Sequence, residues 1–137
     1  MKKKLIIIIG AVVLVAGGIA AYMLFSGPSE PLEPPVSTYT PGDFFVTNVK
    51  DSYALFKVTV VLEVDKAEDD KEFAAFMAKN NHIIRDTIVF ILREQTEEQL
   101  RAPDIKQVLG EEITKKVNAA LGITNIQTVY FNDYVLQ

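Results

Sequence analysis

The first pattern along the chain is a run of 21 residues without a charged side chain, from Leu5 to Phe25. At about 1.5 Å of rise per residue, a helix of this length reaches roughly 30 Å, the thickness of a bilayer's hydrocarbon core. The run therefore predicts a membrane-spanning helix over residues 5–25, with lipid around it.

The charges beside this run predict its orientation. Lys2, Lys3 and Lys4 precede it, and no Lys or Arg follows until Lys50. Basic residues stay on the cytoplasmic side, so residues 1–4 are predicted to be a cytoplasmic tail and the rest to lie outside the inner (cytoplasmic) membrane. The alternative is a cleaved signal peptide with Gly18-Ile19-Ala20 as a poor cleavage site. The run exceeds the usual apolar region of about 7–15 residues, which favours an uncleaved single-pass anchor.

A proline-rich segment follows the predicted span. Ser26–Pro41 holds five prolines in sixteen residues, and proline disfavours both helices and strand ladders. We predict an extended linker over residues 26–42, reaching up to roughly 50 Å at about 3.1 Å per residue. The exported domain is predicted over residues 43–137.

Two strands are predicted at the start of this domain. Residues 44–50 and 53–64 are rich in β-branched and aromatic residues, and the turn-forming pair Asp51-Ser52 separates them. Every second residue of the longer strand is apolar, which predicts one buried face. That face comprises Ala54, Phe56, Val58, Val60, Leu62 and Val64.

The spacing then changes to three- and four-residue steps, which predicts helices. Asn80-Asn81 interrupts the apolar stripe, so we expect two short helices or one bent helix between residues 73 and 92. Thr96–Gln99 has the spacing of a capping box and predicts the start of another helix. Pro103 is expected in the first turn of the next helix, and Gly122 at that helix's C-terminal cap.

The last predicted element is a strand over Val129–Leu136. Its alternation places Val129, Phe131, Asp133 and Val135 on one face and the residues between them on the other. A domain of about 95 residues without a disulfide has a marginal core, so we expect this strand to be required for folding. The order strand, strand, helices, strand predicts an α+β domain in which a small sheet packs on helices.

Composition limits the classes of function. Beyond Phe25 the chain has 18 Asp and Glu against 11 Lys and Arg, a net charge of −7, which disfavours nucleic acid as a partner. The chain has no cysteine, which excludes disulfides, thiolate metal sites and lipoprotein attachment.

Candidate chemistry is sparse. His82 is the single histidine and has no second histidine or cysteine at ligand spacing. Residues 65–73 lack the glycine and distal glutamate of a calcium loop. No phosphate-binding loop or nucleophile elbow occurs. We therefore predict no catalytic residues, no cofactor and no metal.

Small residues within the predicted span leave two interpretations open. Gly17 with Ala21, and Ala16 with Ala20, are pairs four residues apart, and Gly10 adds a further small residue. Such pairs allow two helices to approach closely in lipid, but they are also common in plain anchors.

Taken together, the chain resembles the flagellar basal body-associated protein FliL family over its whole length. The resemblance depends on the basic tail, span and proline-rich linker, and on the segments FVTNV (45–49), LFKVTVVLEV (55–64), IIRDTIVFILREQTEEQL (83–100) and VYFNDYVLQ (129–137). The positions that carry it most specifically are Asn48, Arg85, Asp86, Thr96, Phe131 and Gln137. Members typically have a glycine within the segment 100–106, where this chain has Pro103-Asp104.

The resemblance implies a function that the residues alone do not give. Members are inner-membrane proteins at the flagellar base that associate with the ion-driven stator units and support torque and swarming. Their exported domains are similar to the stomatin-like (SPFH) fold and assemble into rings. This chain would accordingly be an oligomeric stator scaffold. The residues alone support a membrane-anchored interaction or sensing module, which remains the alternative.

Overall fold

The computed structural model describes residues 2–27 and 32–137 as two compact units, Met1–Glu33 and Pro34–Gln137. Met1 and residues 28–31, which belong to the predicted tail and linker, lie outside the described residues. The first unit contains one helix, α1 (Lys2–Phe25). Among the described residues it is the one helix long and apolar enough to cross a membrane, a criterion that an N-terminal signal sequence also meets.

The second unit contains an antiparallel sheet of four strands: β1 (Ser37–Tyr39), β2 (Phe45–Asn48), β3 (Leu55–Val64) and β4 (Ile126–Leu136). β3 is central, because β4 pairs along one side of it while β1 and β2 pair in series along the other. Ser37 lies opposite Val64 and Phe45 lies opposite Val58. Each edge of the sheet is therefore formed by strands whose one strand partner within the described chain is β3.

Four helices connect β3 to β4: α2 (Lys71–Lys79), α3 (Asn81–Arg93), α4 (Glu97–Arg101) and α5 (Ile105–Leu121). The break at Asn80-Asn81 does separate two helices, as the sequence predicted. Thr96 and Gln99 form the predicted capping box at the start of α4. Gly122 ends α5 with φ +66°, a left-handed conformation that glycine adopts without steric cost.

The core lies between one face of the sheet and the helices. The predicted period-two face of β3 is buried from Phe56 to Val64, while Leu55 and Lys57 on the opposite face are exposed. α3 and α5 supply most of the helical layer of the core, through Ile84, Ile88, Ile91, Leu92, Ile105, Leu109, Ile113 and Val117. The α+β architecture of a small sheet on helices is confirmed.

The predicted linker is wrong at its C-terminal end. Ser37, Thr38 and Tyr39 form a strand ladder with β3, although the sequence predicted none between Ser26 and Pro41. The cause is the spacing of the prolines, since these three residues lie between Pro35 and Pro41 and keep their N–H groups. The compact unit accordingly begins at Pro34.

The predicted alternation of the last strand is wrong beyond Asn132. Thr59 pairs with Asn132 and Lys57 pairs with Val135, so β4 has one residue more than β3 in this interval. Asp133, with φ +48°, is part of this β-bulge. The bulge reverses the faces: Val135 is exposed, while Tyr134 and Leu136 pack against the core.

The predicted position of Pro103 in the first turn of the next helix is also wrong. Pro103 lies between α4 and α5, and α5 begins at Ile105 after Asp104.

Candidate functional site

The described residues do not present a candidate metal centre. They contain no group of three or more His, Cys, Asp or Glu placed to hold a metal ion. His82 is exposed near the start of α3. Two open depressions, of about 360 Å³ beside Phe73 and of about 350 Å³ between α5 and β4, lack a nucleophile paired with a base. The candidate sites are therefore surfaces and contacts suited to binding.

One set of contacts fastens the N-terminal residues of the second unit to α3. The Tyr39 hydroxyl lies 2.9 Å from Oδ1 of Asn81 and 3.4 Å from the Met77 carbonyl oxygen. Asn81 and Arg85, one turn apart on α3, both donate to the Pro41 carbonyl oxygen, at 3.3 and 2.8 Å. We call residues 37–44 the strap, because they cross from β1 to β2 under these contacts.

Gly42 and Arg85 fit each other closely within this set. A Cβ atom on Gly42 would lie 2.0 Å from Nη1 of Arg85, and the φ of Gly42 is +147°. The Arg85 guanidinium also lies 4.5 Å from the centre of the Phe45 ring, in cation–π geometry. A larger residue at position 42 would displace the guanidinium from Pro41.

A second set of contacts fastens the β2–β3 turn to the junction of α3 and α4. The Lys50 amide donates to the Gln95 carbonyl oxygen at 2.9 Å, and the Lys50 ammonium lies 3.0 Å from the Glu94 carboxylate. Hydrogen bonding and charge attraction within this pair raise the pKa of Lys50 and lower the pKa of Glu94. Ser52 donates to the Glu97 carboxylate nearby. The ion pair is solvent-exposed, so these contacts position the turn more than they stabilise the fold.

The bulge at Asp133 produces a third contact. It turns Tyr134 inward, where the hydroxyl donates to the Leu100 carbonyl oxygen at 2.7 Å. The ring meets Phe56 edge-on with 4.6 Å between centroids. Burial raises the pKa of Tyr134 from its ordinary value of 10.0 to about 12. The end of β4 is thus joined to both the sheet and α4.

The face of the sheet opposite the helices is partly apolar. Phe44, Val46, Leu55 and Val135 are each between 38% and 51% exposed, and the Lys57 ammonium lies 4.6 Å from the centre of the Phe44 ring. Further along this face, Tyr130 donates to the Glu63 carboxylate at 3.0 Å, and this hydrogen bond raises the pKa of Tyr130. Such a face is suited to contact with another protein.

The six positions that carry the family resemblance do not form one site. Three of them lie towards the β2–β3 turn. Asn48 pairs with Leu55 from one side, and the backbone of Gln137 pairs with Leu55 from the other. Thr96 caps α4 and forms a bridge to Lys50.

The other three positions lie elsewhere in the unit. Arg85 fastens the strap, Asp86 is exposed next to it on α3, and Phe131 is buried in the core. The structure thus gives most of the six a structural role, and it does not place them together at one binding surface.

The predicted residues of the span lie on α1. Gly17 and Ala21 are one helical turn apart, and a Cβ on Gly10 or Gly17 would meet nothing within 4 Å in a single chain. Phe25 is the last residue of the helix and is exposed, and Leu5 lies within its first turns. The small residues therefore have room for a neighbouring helix, and their use in association stays a prediction.

Sequence reasoning missed the contacts that hold the strap, although it named Asn81 and Arg85 for other reasons. Tyr39 and Asn81 are 42 positions apart, and neither has a spacing that indicates the contact. The one local signal is Pro41-Gly42, a pair that marks a turn within a chain segment otherwise read as linker.

Comparisons with known proteins show the family to which the chain belongs. The model of the family described as flagellar basal body-associated protein FliL matches residues 38–137, so its match begins in β1 and leaves out the span. The Flagellar protein FliL of Aquifex aeolicus (strain VF5) is 29% identical over 95 residues, which are 68% of this chain and 56% of that protein. The chain thus spans about half the length of the curated relative it matches.

Proposed function

The chain belongs to the flagellar basal body-associated protein FliL family, and from that membership we propose that it is a non-catalytic scaffold for the flagellar stator units. The observation that carries the proposal is the match over residues 38–137, which covers every strand and helix of the second unit except the first residue of β1. The scaffold supports torque, most of all under the high load of swarming.

An anchor in the inner membrane is part of the proposal. α1 is a single helix of 24 residues with lysines at its start, and these features support a cytoplasmic N-terminus and an exported second unit. Mass spectrometry of the membrane fraction tests this point. We expect residues 2–25 to remain attached to the domain, whereas a mature N-terminus near Ala21 in the soluble exported fraction would contradict an anchor.

Assembly into rings is a further part. The outer edge of β4 pairs with no other strand of the described chain, and the sheet exposes apolar side chains on its outer face. Uncovered sheet edges and apolar faces favour contacts between copies. We propose a ring of domains similar to the stomatin-like (SPFH) fold, with α1 helices in contact through the small residues Gly17 and Ala21. Extracted in mild detergent, the protein should sediment well above its 15.3 kDa monomer.

The alternative function is a membrane-anchored interaction or sensing module without a flagellar partner. The same anchor and exposed sheet face support it, because neither is specific for a stator. Deleting the gene distinguishes the two functions. A scaffold predicts normal filaments with impaired swarming in viscous medium, restored by the full chain. Loss of filaments would indicate a role in filament assembly. Unimpaired swarming would contradict the scaffold function and favour the interaction or sensing module.

A further inference from the structure

The membrane anchor is connected to the domain through β1, the shortest strand of the sheet. The eleven residues Ser26–Val36 connect α1 to β1, and β1 has three residues at an edge of the sheet. Any pull between membrane and domain therefore acts first on Ser37, at the end of this strand. Thr38 is exposed, and Ser37 and Tyr39 are half-buried, so β1 contributes no fully buried side chain to the core.

Packing beneath β1 is also incomplete. A cavity of about 70 Å³ lies between β1 and α2, lined in part by Tyr39, Val64, Phe73 and Met77. Gaps in packing forfeit dispersion contacts, so β1 is held mainly by three ladder pairs and by the polar contacts of Tyr39 and Pro41. The partners in these contacts belong to β3, α2 and α3, and each of these elements contributes buried side chains of its own to the core.

The rest of the sheet does not depend on the strap in this way. β2 begins at Phe45, which is buried, and also contains the buried Thr47, and Val49 directly after the strand is buried too. The β2–β3 turn has its own contacts to Gln95, Glu94 and Glu97. Opening of residues 37–44 would expose the buried Pro41 and break the hydrogen bond from the Thr59 hydroxyl to the Asp43 carbonyl oxygen, but it would leave the buried residues of β2 and the contacts of the turn in place.

We propose that the strap is a releasable segment of the tether, which detaches from β3 and α3 while the rest of the domain stays folded. Detachment changes the tether from residues 26–36 to residues 26–44, that is from eleven to nineteen residues. It also moves the attachment point from Ser37, opposite Val64, to Phe45, opposite Val58. That shift covers six residues of β3, about 20 Å at roughly 3.3 Å per residue.

Release of the strap thus alters both the reach of the domain and the point about which it pivots. Tyr39, Asn81 and Arg85 set how readily the change occurs, since their side chains fasten the strap to α3. Release of the strap rests on the proposed retention of α1 as an anchor, and it is independent of the partner that the domain binds.

Hydrogen exchange of the full chain in lipid nanodiscs measures the release. We expect the amides of β1 that are hydrogen-bonded to β3 to exchange at least about 100-fold faster than those within β3, because local opening requires less free energy than global unfolding. Equal exchange rates in the strap and β3 would overturn the proposal, since the strap would then open only when the whole domain unfolds.

A disulfide provides the matched test, in a chain that has no cysteine of its own. Thr38→Cys with Glu63→Cys joins direct partners of β1 and β3, and Asn48→Cys with Leu55→Cys joins direct partners of β2 and β3 as the control. The oxidised first pair should slow exchange of the strap about 10-fold or more, and reduction should restore it. The control pair should leave strap exchange unchanged. A slowing by both pairs alike would contradict independent release.

Loosening variants test the same inference without a disulfide. Tyr39→Phe with Asn81→Ala removes the polar contacts of Tyr39 and one of the two at Pro41. Strap exchange should accelerate several-fold while the exchange of β3 stays as in the unaltered chain. Equal acceleration of both segments would show that these residues support the whole domain.

Discussion

The backbones of Leu55 and Gln137 exchange two hydrogen bonds, 2.7 Å from the Leu55 nitrogen to the Gln137 oxygen and 2.9 Å in the reverse direction. Leu55 is the first residue of β3, so the pairing of β4 continues along the whole length of the central strand. The last residues are therefore part of the sheet, as their apolar alternation predicted.

Truncation tests the contribution of these residues. Removing Val135, Leu136 and Gln137 deletes the Leu55 pair, the Lys57 pair and the half-buried Leu136 side chain. At about 0.5–1.5 kcal/mol for each of the two hydrogen bonds of the Leu55 pair, and part of the 1.5–3 kcal/mol for a fully buried leucine, the loss should be at least about 2–4 kcal/mol, and the Lys57 pair adds to it. Thermal melting of residues 34–137 against 34–134 measures it. Gln137→Ala is the control, and its melting temperature should equal that of the unaltered domain, because the substitution keeps the backbone hydrogen bonds. An unchanged melting temperature for the truncated domain would contradict a structural role for these residues.

Deleting Asp133 tests the bulge. Without the extra residue, β4 can pair regularly with β3 between Asn132 and Val135, so that Tyr134 lies opposite Val58 and both Tyr134 and Leu136 keep the inner face. We expect stability to change by less than about 1 kcal/mol, since the hydrogen bond to Leu100 and the contact with Phe56 are kept. Asp133→Gly, which tolerates the positive φ, should likewise change stability by less than about 1 kcal/mol. A loss of several kcal/mol in the deletion alone would show that Tyr134 needs the bulge to reach Leu100 and Phe56.

Thr47 offers a stabilising substitution. Its hydroxyl is buried on β2 and has no hydrogen-bond partner within the described residues. Thr47→Val keeps the shape and removes the buried polar group, which should stabilise the domain by about 1–2 kcal/mol and raise the melting temperature. Thr47→Ser, which keeps the hydroxyl and removes the methyl group, should lower it. A fall in melting temperature for Thr47→Val would reveal a partner for this hydroxyl.

Alkaline pH should weaken the domain through Tyr134. Its folded-state pKa of about 12 exceeds the value of 10.0 expected when unfolded, so the neutral form is favoured by folding. The stabilisation is complete below pH 10, declines as the pH rises above 10, and is lost above about pH 12. Melting temperatures measured from pH 9 to 12 should fall more steeply for the unaltered domain than for Tyr134→Phe. Parallel curves would contradict a raised pKa.

The parts of the fold that could be predicted depend on local pattern. The alternation of β3, the capping box at Thr96 and the cap at Gly122 each arise within a few residues, so the sequence shows them directly. The strand Ser37–Tyr39 could not be predicted, because its stability comes from β3 and from Asn81, far along the chain. The bulge at Asp133 has the same cause, since pairing with Lys57 and Thr59 determines the register. The contacts of Arg85 likewise become visible only when α3 lies beside Gly42.

Motor torque under high load tests the stator-scaffold function most directly. Rotation of a large bead on a single flagellar motor reports torque and, through its stepwise changes, the number of engaged stator units. A scaffold predicts lower torque and fewer steps in cells that lack this protein. The full chain should restore both, and residues 34–137, exported without α1, should not. Unchanged stall torque and step number in the deletion strain, with the motor otherwise intact, would contradict the proposed function.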